Sequence, residues 1–233
     1  MKATKLGLIG AMNEEVVFFH EHMQEVVHTT HAGVEFYEGR FYNLHVVVCK
    51  SGVGKVNAAI CTQVLIDQFL CDAIVFTGVA GALDPQLEIG DIVVSEECMQ
   101  HDMDVTPLGY ARGIIPYQAT SVFTAHPELV RIAMEAGQRL SVSRIVSGRI
   151  LSGDQFIANR ETVMTLRQEL NGTCAEMEGA AVAQVCVMND IPFVVIRSMS
   201  DKADGSASVN FPEFAHQAAE NSFRIVREMV QIL

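Results

Sequence analysis

Asp201 closes the run Phe193-Val194-Val195-Ile196-Arg197-Ser198-Met199-Ser200-Asp201, where four apolar residues lead straight into an arginine, two serines and an acid. A carboxyl group in that position can give a proton to a leaving group. An apolar run without polar alternation predicts a strand buried on both faces, as parallel sheets require. Ligands of open α/β sheets sit beyond the carboxyl ends of such strands, so Asp201 is the candidate proton donor. Five more polar, glycine-marked stretches follow apolar runs: 10–15, 51–54, 77–82, 152–156 and 176–178. Parallel strands would gather all six along one edge of the sheet.

The elements that must do this positioning alternate. Strands are expected at 5–9, 44–49, 73–76, 92–94, 144–151 and 193–201, with a hairpin-like turn at 36–39 leading into the second. Helices are expected from Asn13 as cap through Gln24, from Lys55 to about 69, around 129–140, 161–170, and after Glu178. The last helix would be capped by Asn210 with Glu213 three residues on. Between Gln100 and Phe123 no periodicity survives, and so long an irregular segment points to a functional or interface loop. The pattern predicts one α/β domain over residues 1–233, with a central, mixed, mostly parallel sheet flanked by helices.

With 49% hydrophobic and 19% charged residues the chain is globular rather than disordered. Its net charge of −12 argues against a nucleic-acid partner, because neutralising phosphates takes clustered Lys and Arg. No apolar stretch reaches membrane-spanning length. Leu6–Met12 imitates a signal sequence, but Glu14 and Glu15 follow at once without a small-residue cleavage site. The six cysteines form no C-x-x-C pair and sit mostly in apolar runs, so buried free thiols and a cytoplasmic setting are expected.

The stretches Gly10–Val16, Lys50–Lys55, Thr77–Leu83, Gly90–Val94, Ser152–Ile157, Glu176–Glu178 and Ser200-Asp201 together resemble the bacterial 5′-methylthioadenosine/S-adenosylhomocysteine nucleosidases, within the nucleoside phosphorylase superfamily. The resemblance runs the length of the chain. It implies hydrolysis of the N-glycosidic bond between adenine and a thio-substituted ribose. Cleavage leaves an oxocarbenium-like sugar and an adenine anion, so a proton delivered to N7 by Asp201 would help the base leave. A free Asp titrates near ~3.9, so burial or the bound ring must keep it neutral. By the same resemblance Glu15 is the base that takes a hydrogen bond from the attacking water. Read alone, Glu15 is more readily a first-turn acid favoured by the helix dipole.

The resemblance also implies the binding residues. Glu178 would grip both ribose hydroxyls, since one carboxylate accepts two hydrogen bonds. Met177 would lie against the sugar, with Glu176 and Arg197 nearby; exposure of Glu176 and a structural ion pair for Arg197 are the plain alternatives. Phe156 would stack on adenine, unless it is ordinary core, while the backbone of Ile157 reads the ring edge. Met12, Val105 and Phe211 would wall the sugar and its tail. Ala80 and Gly81 let backbone approach the ligand, and Ser200 accompanies Asp201. Two residues depart from the pattern: Val79, where many relatives carry serine, and Leu108, where they carry an aromatic. Leu108, Tyr110 and Pro116 still suit a homodimer that completes each site across its interface. Neither a cofactor nor a metal is implied; the partners are an adenine nucleoside and water.

Two other readings stay open at this level. A purine nucleoside phosphorylase would need cations for phosphate, yet Phe76 stands about where related phosphorylases have an arginine, and Glu15 would repel the anion. A non-catalytic nucleoside-binding protein would have no use for two acids about one bond. Two leftover motifs carry no such chemistry. Ser51-Gly-Val-Gly-Lys55 is too short for a phosphate-binding loop, and His101-Asp102 is no metal-ligand set, reading instead as a hydrogen-bonded pair.

Overall fold

The computed structural model describes residues 3–140, 144–202 and 207–233, with side chains from residue 214 onward in the last segment. Ten strands and six α-helices follow in chain order: β1 (Lys5–Gly10), α1 (Asn13–His22), β2 (Gln24–His31), β3 (Val34–Phe41), β4 (Leu44–Lys50), α2 (Lys55–Asp67), β5 (Ala73–Ala82), β6 (Ile92–Gln100), β7 (Val122–Thr124), α3 (Pro127–Arg139), β8 (Ile145–Ser152), α4 (Arg160–Leu170), β9 (Cys174–Glu176), α5 (Gly179–Met188), β10 (Phe193–Asp201) and α6 (Ala207–Ile232). A short 3-10 turn, Thr106–Leu108, lies in the long segment between β6 and β7.

The strands form one mixed sheet with an unusual closure. β5 pairs with β10, β10 with β6, β6 with β8, β8 with β9, and β9 returns to β5, while β1, β4, β3 and β2 extend outward from β5. The longest registers, β5 with β10 and β6 with β8, are parallel, as are β1 with β4 and β5, and β8 with β9. Antiparallel pairing is confined to the β2–β3–β4 meander and to the shorter contacts of β6 with β10 and β7 and of β5 with β9. Closing the ring brings the ends of β5, β8, β9 and β10 around one point.

Alternate strand residues feed two apolar layers, as the two-residue pleat dictates. Ile9, Val47, Ile74, Phe76 and Val195 pack towards Ala58, Cys61 and Leu65 of α2 and Ala180 to Ala183 of α5. Leu8, Val46, Val48, Val75 and Val194 pack on the other face, towards Phe19 of α1, Ile132 of α3 and Phe223 to Val230 of α6. All six cysteines are free and buried. Among the described residues no helix is long and apolar enough to cross a membrane.

Four sequence expectations change at the element level. Met12, not Asn13, is the cap residue of α1, and the carboxylate of Glu15 takes its N–H at 3.0 Å. That helix stops at His22, because the chain turns into β2 at Gln24. The turn expected at 36–39 lies inside β3, and the real turns flank it. Asn210 sits within α6 rather than capping it, since the helix starts at Ala207.

Candidate active site

At the carboxyl ends of β5, β9 and β10 the protein encloses a cavity of about 270 Å³. Its wall includes Met12, Glu15, Val79, Ala80, Gly81, Phe156, Ile157, Glu176, Met177, Glu178, Ser200 and Asp201. Glu15 arrives from α1 and Asp201 from the last residue of β10, 186 positions later in the chain, yet both line the same space.

Glu15 is held with unusual completeness for an acid that is only 4% exposed. One oxygen, Oε2, accepts the N–H groups of Ala11 at 2.6 Å and Met12 at 3.0 Å. The other, Oε1, accepts Val79 N–H at 3.0 Å. Gly78 makes this approach feasible: a Cβ there would stand 2.2 Å from Oε1 of Glu15 and 3.0 Å from a guanidinium nitrogen of Arg197. Burial raises the carboxyl of Glu15 above its ordinary range, against the opposing pull of Arg197 and the three N–H donors. The result is a fixed carboxyl group whose proton affinity is enhanced. From the far side of β5, Ser222 of α6 hydrogen-bonds Thr77 and accepts Gly78 N–H at 3.2 Å, fixing the backbone next to this carboxylate.

Glu176 and Glu178 share a short segment and have different tasks. Glu176 is buried, which removes the exposed reading, and its oxygens are already engaged. They accept Gly179 N–H at 2.8 and 2.9 Å, Glu178 N–H at 3.2 Å and the Ser152 hydroxyl. The carboxylate thus caps α5, where the helix dipole favours a negative charge. It also pairs with Arg197 at 2.5 Å. Arg197 is fully buried over the ring of Phe76, 3.9 Å from its centroid, and stands behind the cavity wall instead of lining it. The structural ion pair is therefore what Arg197 makes, and its charge reaches the site through Glu176 and Glu15.

Among the described residues the Glu178 carboxylate has one hydrogen-bond donor, Gly54 N–H, which reaches Oε1 at 2.8 Å. Burial, with Glu176 next to it, pushes its carboxyl up to about 8. Because the folded chain holds this proton more tightly than the unfolded chain does, the stability Glu178 contributes is complete below its ordinary 4.5 and is lost as pH rises towards about 8. We therefore expect Glu178→Gln to melt higher than the native chain at pH 9, by about 2–4 °C for each kcal/mol of charge burial relieved. At pH 5 the difference should largely vanish. Melting curves at both pH values check this, and an equal difference at both would refute it.

Asp201 is 2% exposed and accepts the Ser200 hydroxyl at 2.9 Å. In the sheet register it lies opposite Gly81, two residues along β5 from Val79, which holds Glu15. Two residues of strand span about 7 Å. The backbone that holds Glu15 and the backbone that carries Asp201 are offset by that distance along the sheet. Phe156 is 51% exposed at the cavity wall, so it is not core packing.

Comparison with known proteins follows the same geometry. A family model described as the phosphorylase superfamily matches residues 5–231. The 5′-methylthioadenosine/S-adenosylhomocysteine nucleosidase of Geobacillus kaustophilus is 42% identical over 230 residues, covering 98% of this chain and 97% of that one. This chain is a member of that nucleosidase family. The Neisseria meningitidis nucleosidase, solved in complex with methylthio-immucillin-A, superimposes with a TM-score of 0.95 at 37% identity, covering 99% of this chain and 100% of that chain. The futalosine hydrolase of Helicobacter pylori has the same architecture, with a TM-score of 0.94 at 32% identity, covering 99% and 98%.

Not every residue expected from the nucleosidase family lines the cavity. Val105 is not part of its lining, while Leu108, Tyr110 and Pro116, expected at a partner's site, lie in the long segment between β6 and β7, with Leu108 74% exposed. The side chain of Phe211 lies outside the described residues. Conversely, Ala11, Val53, Gln155 and Ala175 line the space and were not anticipated. Ala11, Gln155 and Ala175 each neighbour an anticipated residue, and Val53 lies in the 51–54 stretch expected at this edge of the sheet, so proximity in sequence was the signal to extend. His101 and Asp102 do not pair: both ring nitrogens of His101 lack a hydrogen-bond partner among the described residues, and Asp102 binds Lys55 and Asp154 N–H instead.

Proposed function

We propose that the protein hydrolyses the N-glycosidic bond of 5′-methylthioadenosine and S-adenosylhomocysteine, releasing adenine and the thioribose. What carries the reading is the sharing of one small cavity by Glu15 and Asp201. In the mechanism Asp201 protonates adenine N7 as the bond lengthens, and the ribose takes on oxocarbenium character. Glu15, fixed by three N–H donors, orients the attacking water and accepts its proton. Glu178 accepts the ribose hydroxyls, Phe156 stacks on the base and the backbone at Ile157 meets its edge. Met12, Met177 and Val79 give an apolar bed for sugar and tail, and Ala80, Gly81 and Ser200 border the base. Phe211 closes the tail end.

We infer further that the protein works in the cytoplasm, in methionine salvage, as a homodimer. Six buried free thiols suit a reducing compartment. An exposed apolar stripe, Val53, Val56 and Ile60, starts at the cavity and follows α2, and Leu108 is exposed on the long segment between β6 and β7. Leu108, Tyr110 and Pro116 would meet the site of the partner.

Purine release from methylthio-, homocysteinyl-, 5′-deoxy- and futalosine-type nucleosides, with and without phosphate, tests the reading. Adenine should leave the first two at rates indifferent to phosphate, and sedimentation of the same preparation should give twice the 25.5 kDa chain mass. Absolute dependence on phosphate would make the protein a phosphorylase.

A further inference from the structure

The motif ending in Lys55 and the pair His101-Asp102 take no part in the chemistry above, yet they meet. Lys55 Nζ donates to Asp102 Oδ1 at 2.6 Å and to Gln100 Oε1 at 2.9 Å. The backbone N–H of Lys55 donates to Asp154 Oδ1 at 2.8 Å, and Asp154 N–H donates to Asp102 Oδ2 at 3.0 Å. Three segments far apart in sequence are thus tied in a triangle: the first turn of α2, the end of β6, and the turn after β8. The ion pair is mostly buried, with side chains 17% and 14% exposed.

Under this triangle the turn is pressed onto His101. Its N–H donates to Ser152 O at 2.9 Å, and a Cβ on Gly153 would come within 2.5 Å of the imidazole and 3.1 Å of Asp102 Cγ. Only glycine lets the chain lie so close. Gly153 N–H then reaches Glu176 O at 3.2 Å, and the next residues are Gln155, Phe156 and Ile157 of the cavity wall. At the other corner, the residue before Lys55 supplies the N–H that binds Glu178.

We propose that Lys55 and Asp102 are positioning residues for this reaction: their ion pair draws the start of α2 and the 153–156 turn together. Gly54 N–H is thereby held on Glu178, and Phe156 is held against the base. The inference rests on the functional reading above, since it assigns the clamp to the ribose and adenine contacts. Neither residue lines the cavity. The effect is one of placement, and displacements near 1 Å are enough to cost a site of this kind as much as 10²-fold.

Steady-state kinetics of Lys55→Met in the full chain test it. The variant keeps the aliphatic stem and loses the charge. KM for the nucleoside should rise about tenfold, with a smaller loss in kcat, because ground-state contacts loosen. Lys55→Arg should recover most of the loss. Asp102→Asn combined with Lys55→Met should be little worse than Lys55→Met alone, since contacting partners are not additive. The acid limb of kcat/KM should also move to higher pH as Glu178 loses its N–H donor. Glu176 from β9, Arg197 from β10 and Glu15 from α1, the other charges about Glu178, are unchanged in the variant. A lowered melting temperature with native KM and native pH profile would overturn the proposal. If Lys55→Met does not fold, the isosteric Asp102→Asn carries the same readouts. Failure of the functional reading looks different, since the native chain itself would release no purine. The clamp is then read in Phe156→Trp, the sole tryptophan of that variant, whose emission should shift when Lys55→Met is added; an unshifted spectrum counts against the clamp.

Discussion

Asp201→Asn should leave a folded protein that binds adenine nucleosides and hardly cleaves them. The substitution is isosteric, and its amide oxygen can still accept the Ser200 hydroxyl that Asp201 accepts at 2.9 Å. Its amide can also donate a hydrogen bond to a ring nitrogen. What it cannot do is transfer a proton, so the purine would leave as an anion in a cavity with few polar groups. General-acid assistance contributes about 10²- to 10⁴-fold in rate, and we expect a loss of that order in kcat. Binding of a non-hydrolysable nucleoside, measured by calorimetry, should change far less. Adenine release within threefold of the native rate would show that the proton comes from elsewhere. A matched loss of binding would mean that Asp201 only holds the base.

The sequence disclosed the apolar strands well, and for a physical reason. β1, β4, β5 and β10 are buried on both faces, so their residues have little freedom to be polar. β2 was illegible because it is an edge strand, exposed along nearly its whole length, and Gln24-Glu25 and His28-Thr29-Thr30-His31 look like loop. Thr77–Ala82 read as a glycine-marked segment beyond its strand but is the second half of β5. Its glycines are there for neighbours that only the fold supplies: at Gly78 the space for a Cβ belongs to Glu15 and Arg197.

The candidate site was legible in residue types and not in their division of labour. Glu15 had two readings, base and first-turn acid, and its local geometry is compatible with both, because the carboxylate that folds back onto Met12 N–H also lines the cavity. Glu176 and Glu178 differ by two positions, yet one is saturated by Arg197, Ser152 and the start of α5 while the other has, among the described residues, a single N–H donor. No local pattern encodes that contrast, since the partners come from β8, β10 and α2. Phe76 and Phe156 make the same point: one is sealed under a guanidinium and the other stands half-exposed at the cavity. The Lys55–Asp102 pair, 47 residues apart, depends wholly on the closure of the sheet.

Glu15→Gln is expected to cost as much as any single change in the chain, about 10²- to 10⁴-fold in kcat. Two effects act together. Without a carboxylate the attacking water loses its proton acceptor. In addition, the new amide nitrogen must face either Val79 N–H or the N–H groups of Ala11 and Met12, because each oxygen of Glu15 is already an acceptor. A donor set against a donor leaves buried groups unsatisfied, at about 1–3 kcal/mol. This offsets what is gained by removing a buried charge, so the melting temperature is a poor guide and the rate must decide. Glu15→Ala separates the two effects: it removes the acid without adding a donor and opens space for a small carboxylate. Formate should restore part of its rate, saturating with concentration and more effectively as pH rises through the ionisation of formate. In the native chain the acid limb of kcat/KM should lie above the ordinary carboxylate range, since burial raises Glu15 despite Arg197 and its three donors. Native rates in Glu15→Gln would remove Glu15 from the chemistry. A dead Glu15→Ala that formate leaves unmoved would recast it as the support that shapes the Met12 and Val79 walls.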